Sequence, residues 1–173
     1  MYLQKLVLTG FKSFVESTTF VFDAPFVAIV GPNGSGKTNV ADAMRWVMGE
    51  QSAKHLRGSE MQDVIFNGTA SRPSVGMSQV ILRFDTSDGR APVGYTDYSE
   101  IEVERRLYRS GESEYAINKV PCRLRDIVDL FLGTGVGTKA YSIIEQGRIE
   151  RILSAKPEER RFIIEEAAGI SKF

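Results

Sequence analysis

The residues best equipped for chemistry lie at 31–38. Gly31, Pro32, Asn33, Gly34, Ser35, Gly36, Lys37 and Thr38 fill every fixed position of G-x-x-x-x-G-K-[ST]. Glycines at 31, 34 and 36 let the backbone turn through angles that a side chain forbids, so successive N–H groups can point at one anion. Lys37 is then placed to reach the β- and γ-phosphates of a nucleoside triphosphate. The Thr38 hydroxyl is placed to hold a Mg2+ ion bridging them.

That chemistry needs a strand, a tight turn and a helix in succession. Residues 26–30 form an unbroken apolar run of strand type, and residues 39–48 carry Val40, Ala43, Met44, Val47 and Met48 at helical spacing before Gly49. A helix opening at Lys37 adds the positive end of its dipole to the phosphate site. Upstream, residues 2–9 and 18–22 read as two strands, with Phe11, Lys12, Ser13 and Phe14 between them. Lys12 is either a cation over the nucleotide or an exposed lysine at a turn. Residues 51–68 have no clear period and hold His55, Arg57 and Asp63, placing Asp63 among the candidates beside the ligand unless the segment is only a connector.

Strand-like runs at 79–85, 101–108 and 114–118, separated by turn signals, predict an antiparallel meander beside the phosphate-loop sheet. Within it, Arg105 puts one charge on the nominally apolar side of Ile101, Val103 and Leu107. Residues 123–132 read as a short amphipathic helix with Arg123 and Arg125 in its first turn. Positive charge there opposes the helix dipole, so these arginines have either a task other than stability or an ordinary solvated position. Residues 133–138 are a glycine-rich loop without the lysine of a second phosphate cradle, and 141–144 reads as a strand leading to Gln146. From Pro157 onward the chain reads as a highly charged helix with a narrow apolar seam, like the root of something longer.

The bulk composition narrows the class. The 173 residues, 42% hydrophobic and 25% charged, suit one globular domain. Lys plus Arg and Asp plus Glu are both 22, so any basic surface must be local. One cysteine, Cys122, excludes an internal disulfide, and one histidine, His55, excludes a Cys/His metal cluster. A reducing cytoplasmic setting fits, and no apolar run nears the ~18 residues of a membrane span.

Several stretches together resemble the N-terminal head segment of structural maintenance of chromosomes (SMC) ATPases, bacterial members in particular. They are LTGFKSF at 8–14, VGPNGSGKTNVADAMRWVMGEQSAKHLRG at 30–58, YRSGESEYAIN at 108–118, PCRLRDIVDLFLGTG at 121–135 and AYSIIEQGRIERILSAKPEERRFIIEEAAGI at 140–170. The resemblance implies an α/β P-loop NTPase fold of the ABC-ATPase type, a mixed sheet with an antiparallel β meander. Residues 1–158 would be the N-terminal lobe of a head domain and 159–173 the start of a coiled-coil neck. It makes Asn33 to Asn39 the ATP and Mg2+ site and Gln146 the glutamine that contacts Mg2+ and senses the γ-phosphate. It ties Arg57 to DNA-stimulated hydrolysis, and it makes Arg123 and Arg125 contacts to the DNA backbone. Glu60 departs from the pattern, since relatives can carry a DNA-facing lysine there and a carboxylate repels phosphate.

The resemblance also accounts for what the sequence lacks. Neither an LSGG-type signature nor an apolar strand ending in Asp-Glu is present. In that family both lie in a C-terminal lobe that folds back onto this one. The implied partners are therefore the C-terminal lobe, a second head in a homodimer, a kleisin subunit and double-stranded DNA, with no membrane. Rival readings are a recombination or repair ATPase head, a nucleotide-gated binding module without turnover, and the ATP-binding subunit of a transporter. The last usually has its glutamine much closer to the phosphate loop than Gln146 stands here.

Overall fold

In a computed structural model, residues 1–24, 26–89 and 91–131 are described. Six strands form one sheet: β1 (Tyr2–Thr9), β2 (Thr18–Val21), β3 (Met77–Asp85), β4 (Glu100–Tyr108), β5 (Ser113–Ile117) and β6 (Val120–Pro121), in the order β2-β1-β3-β4-β5-β6. Every pairing among them is antiparallel. The expected meander is β3-β4-β5, and it joins β1 directly within this sheet. Strand periodicity assigns the faces: Leu6 pairs with Leu82, Leu8 with Val80, Phe84 with Ile101 and Val103 with Ile117, so one face is apolar.

Helix α1 (Lys37–Val47) lies across that face against β3 and β4 and buries Val40, Ala43, Trp46 and Val47. The Trp46 ring meets Phe11 at 5.5 Å between centroids. Helix α2 (Leu124–Phe131) buries Ile127, Leu130 and Phe131, and Phe131 meets Phe84 edge-on. Its side chains reach the C-terminal end of α1, because a Cβ on Gly49 would come within 2.7 Å of Val128 Cγ2.

One expected element is corrected. Residues 26–30 are not a strand but an exposed run without regular structure, with Phe26 86% and Val30 87% accessible. A strand exists only where a neighbour completes its hydrogen-bond ladder, and among the described residues none flanks this run. Residues 141–144, Gln146 and the helix expected from Pro157 lie outside the described residues, as does the boundary at 158/159.

The charge on β4 is explained by position. Arg105 is 2% exposed and stacks between Trp46 and Tyr115, its guanidinium carbon 4.6 and 5.3 Å from their ring centres. Its Nη1 donates to the carbonyls of Trp46 (2.6 Å) and Glu50 (2.8 Å), acceptors at the open end of α1. The apolar assignment of that face therefore holds, with Arg105 as a buried helix cap.

Candidate phosphate-binding site

α1 starts directly after Gly36, which takes φ +90°. No side chain caps this end and no acidic residue occupies the first turn. Asn39 N–H donates back to Gly36 O at 2.9 Å, and the N–H groups of Lys37 and Thr38 before it are left for an anionic partner. A Cβ on Gly36 would stand 2.7 Å from Ser13 Oγ, so glycine is needed both for the turn and for its seat against residues 13 and 14. The Lys37 ammonium donates to the carbonyls of Gly31 and Pro32, both at 2.7 Å. These are neutral acceptors, which charged phosphate oxygens outcompete. Asn33, Gly34, Ser35 and Thr38 are exposed around it. The uncapped helix end, one ammonium and the exposed Thr38 hydroxyl fit a triphosphate with Mg2+.

Behind the loop lies an ion cluster that only the fold brings together. Residues 10–12 pair with 64–66: Lys12 N donates to Val64 O (2.7 Å) and Phe66 N to Gly10 O (2.9 Å). This puts Lys12 beside α1, where its ammonium donates to Asp42 Oδ2 at 2.5 Å and to the Leu56 carbonyl. Asp42 is 1% exposed. Arg57 reaches the same oxygen through Nε (3.1 Å) and Nη2 (2.6 Å), and Nη2 also donates to Asn39 Oδ1 at 2.8 Å. Asn39 Nδ2 in turn donates to Ser13 Oγ at 2.8 Å. Burial pulls the Lys12 pKa below its ordinary value, against the opposing pull of Asp42. Lys12 is thus no exposed turn lysine: it is half-buried and ion-paired.

Asp63 caps the turn that follows Arg57. Its Oδ2 accepts from the N–H groups of Ser59 (2.7 Å) and Glu60 (3.0 Å), and Glu60 completes the capping box at the start of the 3-10 turn Met61–Val64. The carboxylate holds the loop that follows Arg57. The Glu60 and Ser59 N–H groups lower its pKa from the usual 3.8. The folded state therefore binds the proton less readily, and the contribution of Asp63 is complete above pH 3.8 and lost as pH falls through the depressed value. Amide exchange protection at Ser59 and Glu60 should fall with acidification below that point. Asp63→Asn should abolish this dependence, and an unaltered acid profile in the variant would rule out Asp63 as its source.

Arg123 and Arg125 are not brought to the phosphate loop. Arg123 precedes α2 and its N–H donates to Asp126 Oδ2 at 2.7 Å. The Arg125 side chain is 86% exposed, with Asp129 at 3.5 Å. Because α2 meets the far end of α1, about 16 Å of helix separates that region from Lys37. Gln146 lies outside the described residues. A cavity of about 610 Å³ on the outer sheet face is lined by Glu102, Glu104 and Glu114 with Gln79, Arg106 and Lys119, so carboxylates outnumber cations there. Sequence reasoning missed Asp42 and Ser13. An acid one turn beyond Thr38 is a signal, but its cations are 30 and 15 residues away in the chain.

The RecF/RecN/SMC N-terminal domain model matches residues 2–143. The chromosome partition protein Smc of Myxococcus xanthus is 60% identical over the whole chain, which spans 14% of that protein's length. A head domain of Smc from Pyrococcus furiosus, with an extended coiled coil and bound to the C-terminal domain of ScpA, superposes at TM-score 0.87 with 35% identity, over 99% of this chain and 42% of that one. A structure described in terms of ATP-driven dimerization and DNA-stimulated activation of SMC ATPases gives TM-score 0.87 with 34% identity, over 96% of this chain and 99% of that one.

Proposed function

From the membership of this chain in the RecF/RecN/SMC N-terminal domain family, we propose that it is the ATP-binding N-terminal lobe of an SMC head. The observation carrying this reading is the uncapped start of α1, with Lys37 and Thr38 behind a turn that only glycines allow. Asn33 to Asn39 would hold the phosphates, and Thr38 with Gln146 would hold Mg2+. The metal would bridge and neutralise phosphate oxygens. Lys37 supplies a fixed positive charge, and Arg57 brings a second cation to the helix that carries the loop.

One lobe supplies only part of the donors that phosphoryl transfer needs. The exposed Phe26, Val27, Ile29 and Val30, directly before the loop, support a C-terminal lobe adding strands there. Two such heads would sandwich ATP in a homodimer, with a kleisin subunit at the neck and duplex DNA as the regulated partner. The setting is cytoplasmic, on the chromosome, in service of its condensation and segregation. No helix among the described residues is long and apolar enough to cross a membrane. The isolated lobe should hydrolyse ATP negligibly.

The test is ATP turnover by the full-length protein with and without duplex DNA. Stimulation supports the reading; turnover indifferent to DNA, or none at all, contradicts it. Replacing Arg123 and Arg125 together by Glu should weaken duplex binding at every sequence and flatten its salt dependence. Unchanged binding would remove both from the interface.

A further inference from the structure

We propose that Asp42 is a positioning residue, whose buried carboxylate fixes the Arg57 guanidinium beside the phosphate-loop helix for ATP hydrolysis. The inference rests on the nucleotide-binding reading above and concerns the same site.

Arg57 is held at both ends. Its backbone takes φ +58°, closing the 3-10 turn Lys54–Leu56, and Leu56 O is bound by the ammonium of Lys12. Its side chain ends on Asp42 and on Asn39, two residues one turn apart on α1. One carboxylate oxygen therefore collects a lysine from residues 10–12 and an arginine from the loop after α1. Core packing by volume does not require a carboxylate here; its oxygen is set by the two cations it holds, the Lys12 ammonium and the Arg57 guanidinium. A buried carboxylate between two cations fixes geometry, whereas Arg57, whose side chain is 52% exposed, remains open to a ligand.

Asp42→Asn removes the charge at nearly constant volume. The local charge then rises by one, which favours binding of an anion, while Arg57 loses its anchor, which disfavours the oriented state. Hydrolysis depends on orientation more steeply than binding does. In the full-length protein kcat should fall roughly 10-fold while KM for ATP changes less than about 2-fold. The defect should vanish in an Arg57→Ala background, because there is then no guanidinium to place. A merely structural aspartate would give independent, multiplying defects, and that result overturns the proposal, as does an unchanged kcat. Should Asp42→Asn abolish the cooperative thermal transition, Arg57→Lys takes its place: it keeps the charge but lacks the fork reaching Asn39 and Asp42. Its kcat should match that of Arg57→Ala, and wild-type kcat overturns the proposal. Wild-type protein that neither binds nor hydrolyses ATP overturns the parent reading as well, whereas normal turnover with multiplying defects overturns only the role of Asp42.

Discussion

Lys37→Ala in the full-length protein should weaken ATP binding by roughly 30- to 1000-fold, the equivalent of about 2–4 kcal/mol. The ammonium rests on two neutral carbonyls, and moving it to phosphate oxygens exchanges two neutral acceptors for charged ones. Alanine removes the cation while the N–H groups of α1 stay in place, so binding should be reduced and not simply erased. Thermal stability should change by less than about 0.5 kcal/mol, since the lost contacts are at the surface. Equilibrium titration with a fluorescent ATP analogue, alongside a melting curve, separates these effects. Retained wild-type affinity in a folded variant would refute phosphate binding at this loop.

The second large effect is on stability. Arg105→Ala should cost about 3–5 kcal/mol in denaturant unfolding. The substitution removes the Arg105 donor from two carbonyls at the C-terminal end of α1, leaving Trp46 O with only the Gly49 N–H (3.2 Å), and it empties the space between Trp46 and Tyr115. Burial pulls the Arg105 pKa below its ordinary value, but an arginine stays charged across the accessible pH range. Its charge is thus a constant complement to the negative end of the helix. Arg105→Met, which refills volume without a donor, should recover only part of the loss. Full recovery would mean that packing, and not the carbonyl bonds, accounts for the residue. A loss under about 1 kcal/mol for alanine would dispose of the capping role.

Both residues show how legibility depends on the range of the information. Lys37 was readable because the motif is local: eight consecutive residues create the turn, the helix start and the ammonium, and Gly34 and Gly36 adopt the positive φ their type permits. The meander was readable because strand alternation and turn residues are local too, as at Asn118 and Lys119, both left-handed. Arg105 was visible only as an exception to its own alternation. Its explanation lay 59 and 55 residues away, at the end of α1. Residues 26–30 failed in the opposite direction, since an apolar run specifies burial but not the partner that provides it.

The sequence by itself determined the phosphate loop, the helix behind it, the strands of the meander and the family resemblance, because each is written in neighbouring residues or in a motif of fixed spacing. Only the tertiary structure decided that Lys12, Asp42 and Arg57 share one carboxylate oxygen, that Asp63 serves its own turn, and that Arg123 and Arg125 stand near the other end of α1. Those facts depend on which distant backbones pair, above all 10–12 with 64–66. The free energy that selects such pairings belongs to the collapsed core as a whole, and no single stretch of chain encodes it.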